Sequence, residues 1–500
     1  MKTNSLDFDA QALREKILDL AMRGKLVPQD PNDEPASVLL DKIKAEKAEL
    51  IKEKRIKKTK SLPPITDDEK PFDIPDSWEW VRLWDVGSIT SGGTPKTSEK
   101  SYWEEGKIPW ITPAVMSASQ NDIVFNNKDV KYINNLGLEK SSAHLIPKDS
   151  LVVSSRAPIG YVNIVPFEYT TNQGCKSVSL YDDTNKQFIY FAIKNAVPEM
   201  NRRASGTTFK EISGTKFGQT IVPLPPLSEQ SRIAAKIAQL FALLRKVESS
   251  TQQYAKLQTL LKSKVLNLAM HGKLVKQDPN DEPASVLLEK IKAEKAELVK
   301  EKKIKKSKPL PEITDDEKPF DIPDSWEWVR LGDLTAPVEY AMADGPFGSN
   351  LKKTDYTLDP EVRIIQLSNI GENGWKDQNV KYTTFEHLKS IQRSEVFPGN
   401  IVIAKMMPAG RAIIVPNKDK KYVLSSDAVK FIPDTHIYKD FLIYAINSNT
   451  YRDQVNEKLQ GTTRPRTSLK KLKNFLIPLP PFDEQKRIVT KTFDLFNMIG

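Results

Sequence analysis

The feature that most constrains the fold is a long internal repeat. The stretch QDPNDEPASVLL occupies Gln29–Leu40 and occurs again, unchanged, at Gln277–Leu288. The similarity around it extends from Arg14–Leu83 to Lys262–Leu331 at a constant offset of 248 residues. Solenoid units are typically about 20–50 residues long, so two copies of this length indicate one structural module used twice.

A second, fainter pair of segments closes the pattern. PLPPLSEQSRI at Pro223–Ile233 matches PLPPFDEQKRI at Pro478–Ile488, with an offset of 255 residues. Laid end to end, the C-terminal and N-terminal segments therefore match nearly all of the module in the middle of the chain. We expect a circular pseudo-twofold arrangement in which the two chain termini lie close together.

The stretch that follows PLPPLSEQ predicts a long helix. Its apolar residues alternate spacings of three and four, as in a coiled-coil seam, and the helix should end near Gly272. Some 40 residues at about 1.5 Å each would span roughly 60 Å. In the DPNDEP turns, Asp33 and Asp281 are predicted N-caps of the helices that follow. The predicted seam consists of Ile233, Ile237, Leu240, Leu244, Val247, Tyr254, Leu257, Leu261, Val265 and Leu268.

Two segments of different sequence lie between the repeated modules, at about Ser77–Val222 and Ser325–Ile477. Both contain short Val/Ile-rich runs separated by Gly, Pro and Asn, and both have a predicted helix near their end. The sequence therefore predicts an α+β fold. Two globular mixed α/β domains are separated by long antiparallel coiled-coil helices, and the two domains share a fold but differ in surface.

The net charge of +10 suggests a polyanionic partner, but the charge is concentrated in two places. Asp41–Lys60 and Glu289–Lys308 each carry a net charge of +5, so the rest of the chain is close to neutral. A nucleic-acid surface elsewhere must come from local clusters. The single cysteine, the lack of a long apolar run and the polar N-terminus predict a cytoplasmic protein that does not span a membrane.

Residue patterns of enzymes are missing from the sequence. The four histidines have no metal-ligand spacing, and the single Cys175 has no evident base. The motif PDSWEW resembles part of a nuclease site but lacks the lysine, and it occurs in both repeats at a domain entrance. We therefore predict no catalytic residue, no metal and no cofactor in this chain.

Nucleic-acid signals lie near the end of each divergent segment, in NRRASGTTFK and GTTRPRTSLKK. Backbone N–H groups, hydroxyls and cations hold phosphates, whereas Arg and Lys also read base edges. An ordinary solvated basic loop is the alternative, and the Lys-rich helices fit phosphate binding, solvation or protein docking. The candidate DNA-binding residues are Arg156, Arg202, Arg203, Thr207, Thr208, Lys210, Lys405, Arg411, Thr462, Thr463, Arg464, Arg466, Lys470 and Lys471.

Several motifs together resemble one family. SGGTPKTSEKSYWEEGKIPWITP (Ser91–Pro113) and DGPFGSNLKKTDY (Asp344–Tyr356) look like the starts of two classes of target-recognition domain. The two PLPP segments look like the recurring exit from such domains into a spacer helix. The whole chain resembles the specificity (S) subunit of Type I restriction-modification systems.

The resemblance implies a function and a set of partners. Each target-recognition domain would read one half of a bipartite site in double-stranded DNA, and the helices would set the gap between the halves. Two modification (M) subunits would dock and carry S-adenosylmethionine, and restriction (R) subunits would add ATP- and Mg²⁺-dependent translocation and cleavage. The residues expected to support docking are Pro225, Pro226, Glu229, Gln230, Pro480, Pro481, Glu484 and Gln485.

The same resemblance divides the chain into five segments. Target-recognition domains are expected at residues 75–222 and 323–477, the central helical region at 223–322, and the split helical region at 1–74 and 478–500. Two other classes of function stay open at this point. One is a DNA-binding scaffold or regulator without a methyltransferase partner, and the other is an enzyme, such as a nuclease, with an unrecognised site.

Overall fold

The structure is a computed structural model that describes residues 9–56, 63–181, 184–206, 210–306, 308–461 and 464–500. It divides into two compact units, called here the first unit (residues 9–251) and the second unit (residues 252–500). The division falls inside one long helix, so each unit combines one divergent segment with helices on either side of it. The five predicted segment boundaries stay a prediction. Within the described ranges, no helix has the length and apolar character needed to cross a bilayer.

The first unit mixes helices with short strands. Its helices are α1 (Ala10–Met22), α2 (Ala36–Lys52), α3 (Leu83–Val86), α4 (Pro113–Met116), α5 (Asn135–Glu139), α6 (Lys186–Arg203) and α7 (Gly214–Gly218), and α8 (Leu227–Met270) continues into the second unit. Its strands are β1 (Glu79–Arg82), β2 (Gly87–Ser91), β3 (Ile108–Ile111), β4 (Lys131–Ile133), β5 (Leu151–Ser155), β6 (Ile159–Ile164), β7 (Thr170–Thr171), β8 (Cys175–Leu180) and β9 (Ile221–Leu224).

The second unit has corresponding elements. Its helices are α9 (Ala284–Lys300), α10 (Phe385–Ser390), α11 (Lys439–Asn447), α12 (Asn449–Glu457), α13 (Leu469–Asn474) and α14 (Phe482–Ile499). Its strands are β10 (Glu327–Arg330), β11 (Met342–Asp344), β12 (Val362–Ile365), β13 (Ile370–Gly371), β14 (Gly374–Trp375), β15 (Tyr382–Thr383), β16 (Glu395–Val396), β17 (Ile401–Ala404), β18 (Ala412–Ile414), β19 (Tyr422–Leu424), β20 (Ala428–Phe431) and β21 (Leu476–Leu479).

The main sheets of the two units have the same topology. In the first unit the antiparallel order is β2-β8-β5-β6, and in the second it is β11-β20-β17-β18. The central strands β5 and β17 are buried along their whole length, which suits their Val/Ile-rich sequences. A second sheet in each unit contains one parallel pair, β3 with β7 or β12 with β19. The predicted α+β fold is confirmed.

A two-stranded ladder joins the start and the end of each divergent segment. In the first unit β1 pairs antiparallel with β9, with Glu79 opposite Leu224. In the second unit β10 pairs with β21 in the same way, with Glu327 opposite Leu479. The chain therefore enters and leaves each divergent segment through a hydrogen-bonded ladder.

The predicted long helix is confirmed as α8, which has 44 residues. It ends in a Schellman motif, because Lys273 N donates to Leu268 O (2.9 Å) and Gly272 N donates to Ala269 O (3.2 Å). Gly272 adopts a φ of +66°, a left-handed conformation that favours glycine. At about 1.5 Å per residue, the helix is roughly 66 Å long.

Helices of both units pack along α8. In the first unit Arg14 on α1 pairs with Glu248, and in the second Gln258 donates to Ile499 O on α14 over 2.7 Å. Ile233 and Ile237 are fully buried at one end, as predicted. The prediction that the middle of the seam is packed within the chain is wrong, because four of its residues are 44–55% exposed: Val247, Tyr254, Leu257 and Leu261.

The N-cap prediction for Asp33 and Asp281 is wrong. Helices α2 and α9 are capped by the backbone of Pro35 and Pro283, without a side-chain cap bond. The carboxylate of Asp33 instead accepts a hydrogen bond from Arg232 Nη2 over 2.6 Å, and Asp281 accepts one from Arg487 Nη2 over 2.5 Å. A bidentate guanidinium is a stronger partner than a single backbone N–H, so the tertiary contact prevails.

Candidate nucleic-acid interface and helical clamp

Each unit carries one short loop with cationic residues in or beside it, after α6 in the first unit and after α12 in the second. These basic loops comprise residues 205–211 and 460–466. Reciprocal backbone hydrogen bonds close the first between Ser205 and Glu211 (3.0 and 2.9 Å) and the second between Gln460 and Arg466 (3.0 and 2.9 Å). Thr207, Thr208, Thr462 and Thr463, which were predicted to bind DNA, lie outside the described residues.

Both basic loops are joined to the turn that follows the central strand of the main sheet. In the first unit Arg156 forms a β-bridge with Glu211, and in the second Met406 forms one with Arg466. Thr467 N also donates to Lys405 O over 2.9 Å. The structure thus brings together two groups of candidate residues that are far apart in sequence, those of the basic loops and those of the strand–turn units.

The first-unit candidates differ in how far they are available to a ligand. Arg202 and Lys210 are exposed, and Arg202 pairs with Glu199. Arg203 instead serves the fold, because its guanidinium donates to Lys216 O (2.9 Å) and Thr220 Oγ1 (2.7 Å). Burial lowers the pKa of Arg203. A phosphate would meet Arg202 and Lys210 more readily than Arg203.

Arg156 belongs to a charged cluster that the sequence did not indicate. Its Nη1 lies 3.5 Å from Glu211 Oε2, and the buried Lys176 Nζ lies 3.8 Å from Glu211 Oε1. Lys176 also donates to Gln173 O over 2.8 Å, and burial lowers its pKa. Glu211 therefore neutralises part of the positive charge beside the first basic loop.

The second-unit candidates show the same division. Arg464, Arg466 and Lys470 are exposed. Lys405 is buried and donates to Asp344 Oδ1 over 2.6 Å.

Two further candidates are engaged with the protein itself. Arg411 Nε donates to Pro408 O over 3.2 Å and lies 3.8 Å from Glu372, and burial lowers the pKa of its guanidinium. Lys471 Nζ donates to Lys458 O over 2.5 Å. The two arginines of the second basic loop, unlike Lys405 and Arg411, are exposed to solvent. Their role, like that of every other candidate DNA-binding residue, stays a prediction.

The residues predicted to support docking form a buried clamp at the start of α8. The carboxylate of Glu229 is 1% exposed and accepts hydrogen bonds from Gln29 Nε2 (2.6 Å) and Trp78 Nε1 (2.8 Å). Burial raises the pKa of Glu229. Gln230 Nε2 donates to Pro225 O over 2.9 Å. The clamp joins the N-terminal module and the start of the first divergent segment to α8.

The clamp recurs in the second unit with the same atoms. Glu484 accepts from Gln277 Nε2 (2.7 Å) and Trp326 Nε1 (2.9 Å), and Gln485 Nε2 donates to Pro480 O over 2.9 Å. Burial raises the pKa of Glu484 as well.

All eight predicted docking residues are buried inside this chain, including Pro226 and Pro481. Docking at the two exits stays a prediction, and these side chains would support it by holding the helices in place.

One group of side chains of the kinds that bind metals was not predicted from the sequence, because its members are far apart in the chain. His436 Nδ1 lies 2.9 Å from Asp434 Oδ1 and 3.6 Å from Glu294 Oε2. Glu294 comes from α9, which belongs to the repeated module, so no local spacing could indicate the cluster. A hydrogen bond from His436 to Asp434 accounts for the position of the imidazole ring. We interpret the three side chains as part of the packing of α9 against the second divergent segment.

Comparison with known proteins fits this geometry. Residues 75–258 and 323–499 match the family described as Type I restriction modification DNA specificity domain. The chain is 33% identical to the Type I restriction enzyme EcoAI specificity subunit of Escherichia coli, over 98% of this chain and 89% of that protein. It is 30% identical to the EcoEI specificity subunit of the same species, over 98% and 90%.

A solved structure shares the fold. A chain from a study of complex assembly and conformational transition of the type I R-M system superposes with a TM-score of 0.56. That match covers 86% of this chain and 92% of the other at 18% sequence identity. With two family matches that each begin at a divergent segment, and with relatives aligned along nearly its full length, this chain belongs to the family of Type I restriction-modification specificity subunits.

Proposed function

We propose that this chain is the DNA sequence-specificity subunit of a Type I restriction-modification complex. Each recognition domain reads one half of a bipartite site in double-stranded DNA, and the helices set the unread gap between the halves. The chain itself performs no catalysis. S-adenosylmethionine, ATP and Mg²⁺ are bound by partner subunits, and the complex acts on DNA in the cytoplasm.

The observation that carries this proposal is the difference between two equivalent loops. Both basic loops have the same backbone closure and the same attachment to the main sheet. At their last position, however, the first has Glu211 and the second has Arg466. An identical scaffold with different side chains at one place is what two different half-sites require, because side chains at base edges determine which bases are read.

The repeated helical modules support the docking of two modification subunits. Each unit has the same buried clamp, so each presents an equivalent helical surface to an identical partner. In the first unit Leu243 and Val247 on α8 are exposed, and in the second unit Tyr254, Leu257 and Leu260 are exposed. Exposed apolar residues along a helix are typical of protein-docking surfaces. Restriction subunits would join the complex through the modification subunits.

Single-molecule methylation mapping tests the proposal. Host DNA is sequenced with this chain co-expressed with its cognate methyltransferase subunit, and again with the chain deleted. We expect a gapped, two-part methyladenine motif that disappears on deletion. If the same motif persists without the chain, or if no motif appears although the chain binds DNA, the scaffold interpretation replaces this one.

A further inference from the structure

Two large apolar side chains are exposed at the surface of the second recognition domain, one close to Lys405 in space and one close to it in sequence. Phe347 is 68% exposed and Met407 is 50% exposed. Lys405 Nζ lies 5.9 Å from the centroid of the Phe347 ring, and Met407 follows two residues after Lys405. Single exposed apolar residues are common, but two that are both near one buried lysine are worth treating together. We call Phe347 and Met407 the apolar patch.

The apolar patch lies beside the second basic loop. The carbonyl of Lys405 accepts a hydrogen bond from Thr467, and Met406 forms a β-bridge with Arg466. Arg464 and Arg466 are exposed there. Apolar side chains bordered by exposed guanidinium groups suit a ligand with a polyanionic backbone and apolar base atoms.

The equivalent positions of the first unit are polar or small. Gly92 N donates to Cys175 O and Gly345 N donates to Ala428 O, so the two glycines occupy equivalent places after the first strand of each main sheet. Two residues later the first unit has Thr94, whereas the second has Phe347.

The turn after the central strand shows the same contrast. Ser155 N donates to Gly174 O and Lys405 N donates to Asp427 O, so Ser155 and Lys405 correspond. Two residues after Ser155 the first unit has Ala157, whereas the second unit has Met407. The same framework therefore carries polar or small side chains in one domain and large apolar ones in the other.

The groups that base edges expose limit which of them the apolar patch can contact favourably. In the major groove, bases present hydrogen-bond donors, acceptors and one apolar group, the C5-methyl of thymine. Phe347 has no polar side-chain atom, and the Met407 thioether is only a weak acceptor. Resting on the proposed function, we propose that Phe347 and Met407 contact the C5-methyl group of a thymine in the half-site read by the second domain.

The test has two steps. The thymine methyl group is first removed from the DNA, and the side chains of the apolar patch are then removed from the protein. Once methylation mapping has given the half-sites, binding of the assembled complex is measured on duplexes with deoxyuridine replacing each thymine singly. We expect one replacement in the second half-site to weaken binding by roughly fourfold, the effect of one buried methyl group. In a Phe347→Ala, Met407→Ala double variant, that penalty should disappear.

A matched control is Phe397→Ala. Phe397 is 53% exposed and precedes strand β17, whereas Lys405 follows that strand, so Phe397 lies at the opposite end of it. The control should retain the full deoxyuridine penalty. The proposal is overturned if no deoxyuridine position matters, if the penalty persists in the double variant, or if the second half-site lacks thymine. Absence of any two-part methylation motif in cells with the wild-type chain and its methyltransferase would instead contradict the proposed function.

Discussion

The indole Nε1 of Trp78 donates a hydrogen bond over 2.8 Å to the buried carboxylate of Glu229, 151 residues further along the chain. Trp326 makes the same bond to Glu484 over 2.9 Å in the second unit. Each bond joins the entrance of a recognition domain to the start of the helix that leaves it. Both contacts are buried and charge-assisted.

Removing one of these donors should destabilise its unit. In Trp78→Phe, the buried Glu229 carboxylate loses a partner, and the free energy of unfolding should fall by about 1–3 kcal/mol. Chemical denaturation of the purified chain measures the change. The control is Trp103→Phe, because Trp103 Nε1 donates to Lys96 O over 3.3 Å at an exposed site. If both variants lose the same free energy of unfolding, the Trp78–Glu229 hydrogen bond contributes no more to stability than an exposed one.

The Asp33–Arg232 pair should make stability depend on acid pH. The hydrogen bond from Arg232 holds the pKa of Asp33 below its usual range. Its stabilisation is therefore complete above the unfolded-state pKa and is lost as the pH falls through the folded-state pKa. Asp33→Asn should cost about 1 kcal/mol at neutral pH, since Arg232 is partly exposed, and the cost should shrink towards acid.

Denaturation of wild type and Asp33→Asn over a pH series measures this difference. Asp41→Asn is the control, because its pair with Lys44 is largely exposed and should contribute little at any pH. A cost that stays constant down to acid pH would mean that the carboxylate charge is not what stabilises this contact.

The exposed arginines of the second basic loop should contribute to DNA affinity through charge. Arg464→Ala or Arg466→Ala should weaken DNA binding by the assembled complex and reduce the slope of log K against log[salt] by about 1 for each phosphate that is no longer neutralised. Titrations at several salt concentrations measure both quantities. Lys420→Ala is the control, an exposed cation in the turn between β18 and β19. Unchanged affinity and an unchanged salt slope would show that these arginines do not contact DNA phosphates.

Glu211 should restrain the electrostatic attraction of the first recognition domain. Glu211→Arg gives the first basic loop the charge that Arg466 gives the second, and it releases Arg156 from its ion pair. We expect tighter DNA binding at low salt, a steeper salt dependence and poorer discrimination between specific and unrelated duplexes. Glu211→Gln should show the same trends to a smaller degree. If neither variant changes DNA affinity or its salt dependence, the first basic loop does not lie near DNA.

Sequence reasoning succeeded where the signal was local or repeated. The seam around Ile233 and the glycine at Gly272 defined α8, because helix periodicity and a left-handed C-terminal glycine are short-range properties. The offset of 248 residues predicted equivalent elements in both halves. The ladder between β1 and β9 was not predicted, because its strands are about 140 residues apart and only tertiary folding brings them together.

The wrong N-cap prediction and the missed charged cluster have one physical cause, namely contacts with residues that are distant in sequence. Asp33 was predicted to cap a helix, but Arg232 provides a bidentate charged partner from another module. Lys176 and Glu211 were missed as a cluster because they combine a strand with a loop.

The ladder that closes each recognition domain also has an evolutionary consequence. Its hydrogen bonds come from the backbone, and its strands carry EWVR in both copies, opposite IVPL in one and LIPL in the other. A recombined gene segment that begins and ends with these residues would form the same ladder whatever surface it encodes between them. A lineage that carries such a gene can therefore exchange one half of its DNA specificity at a time while the inherited helical framework stays intact.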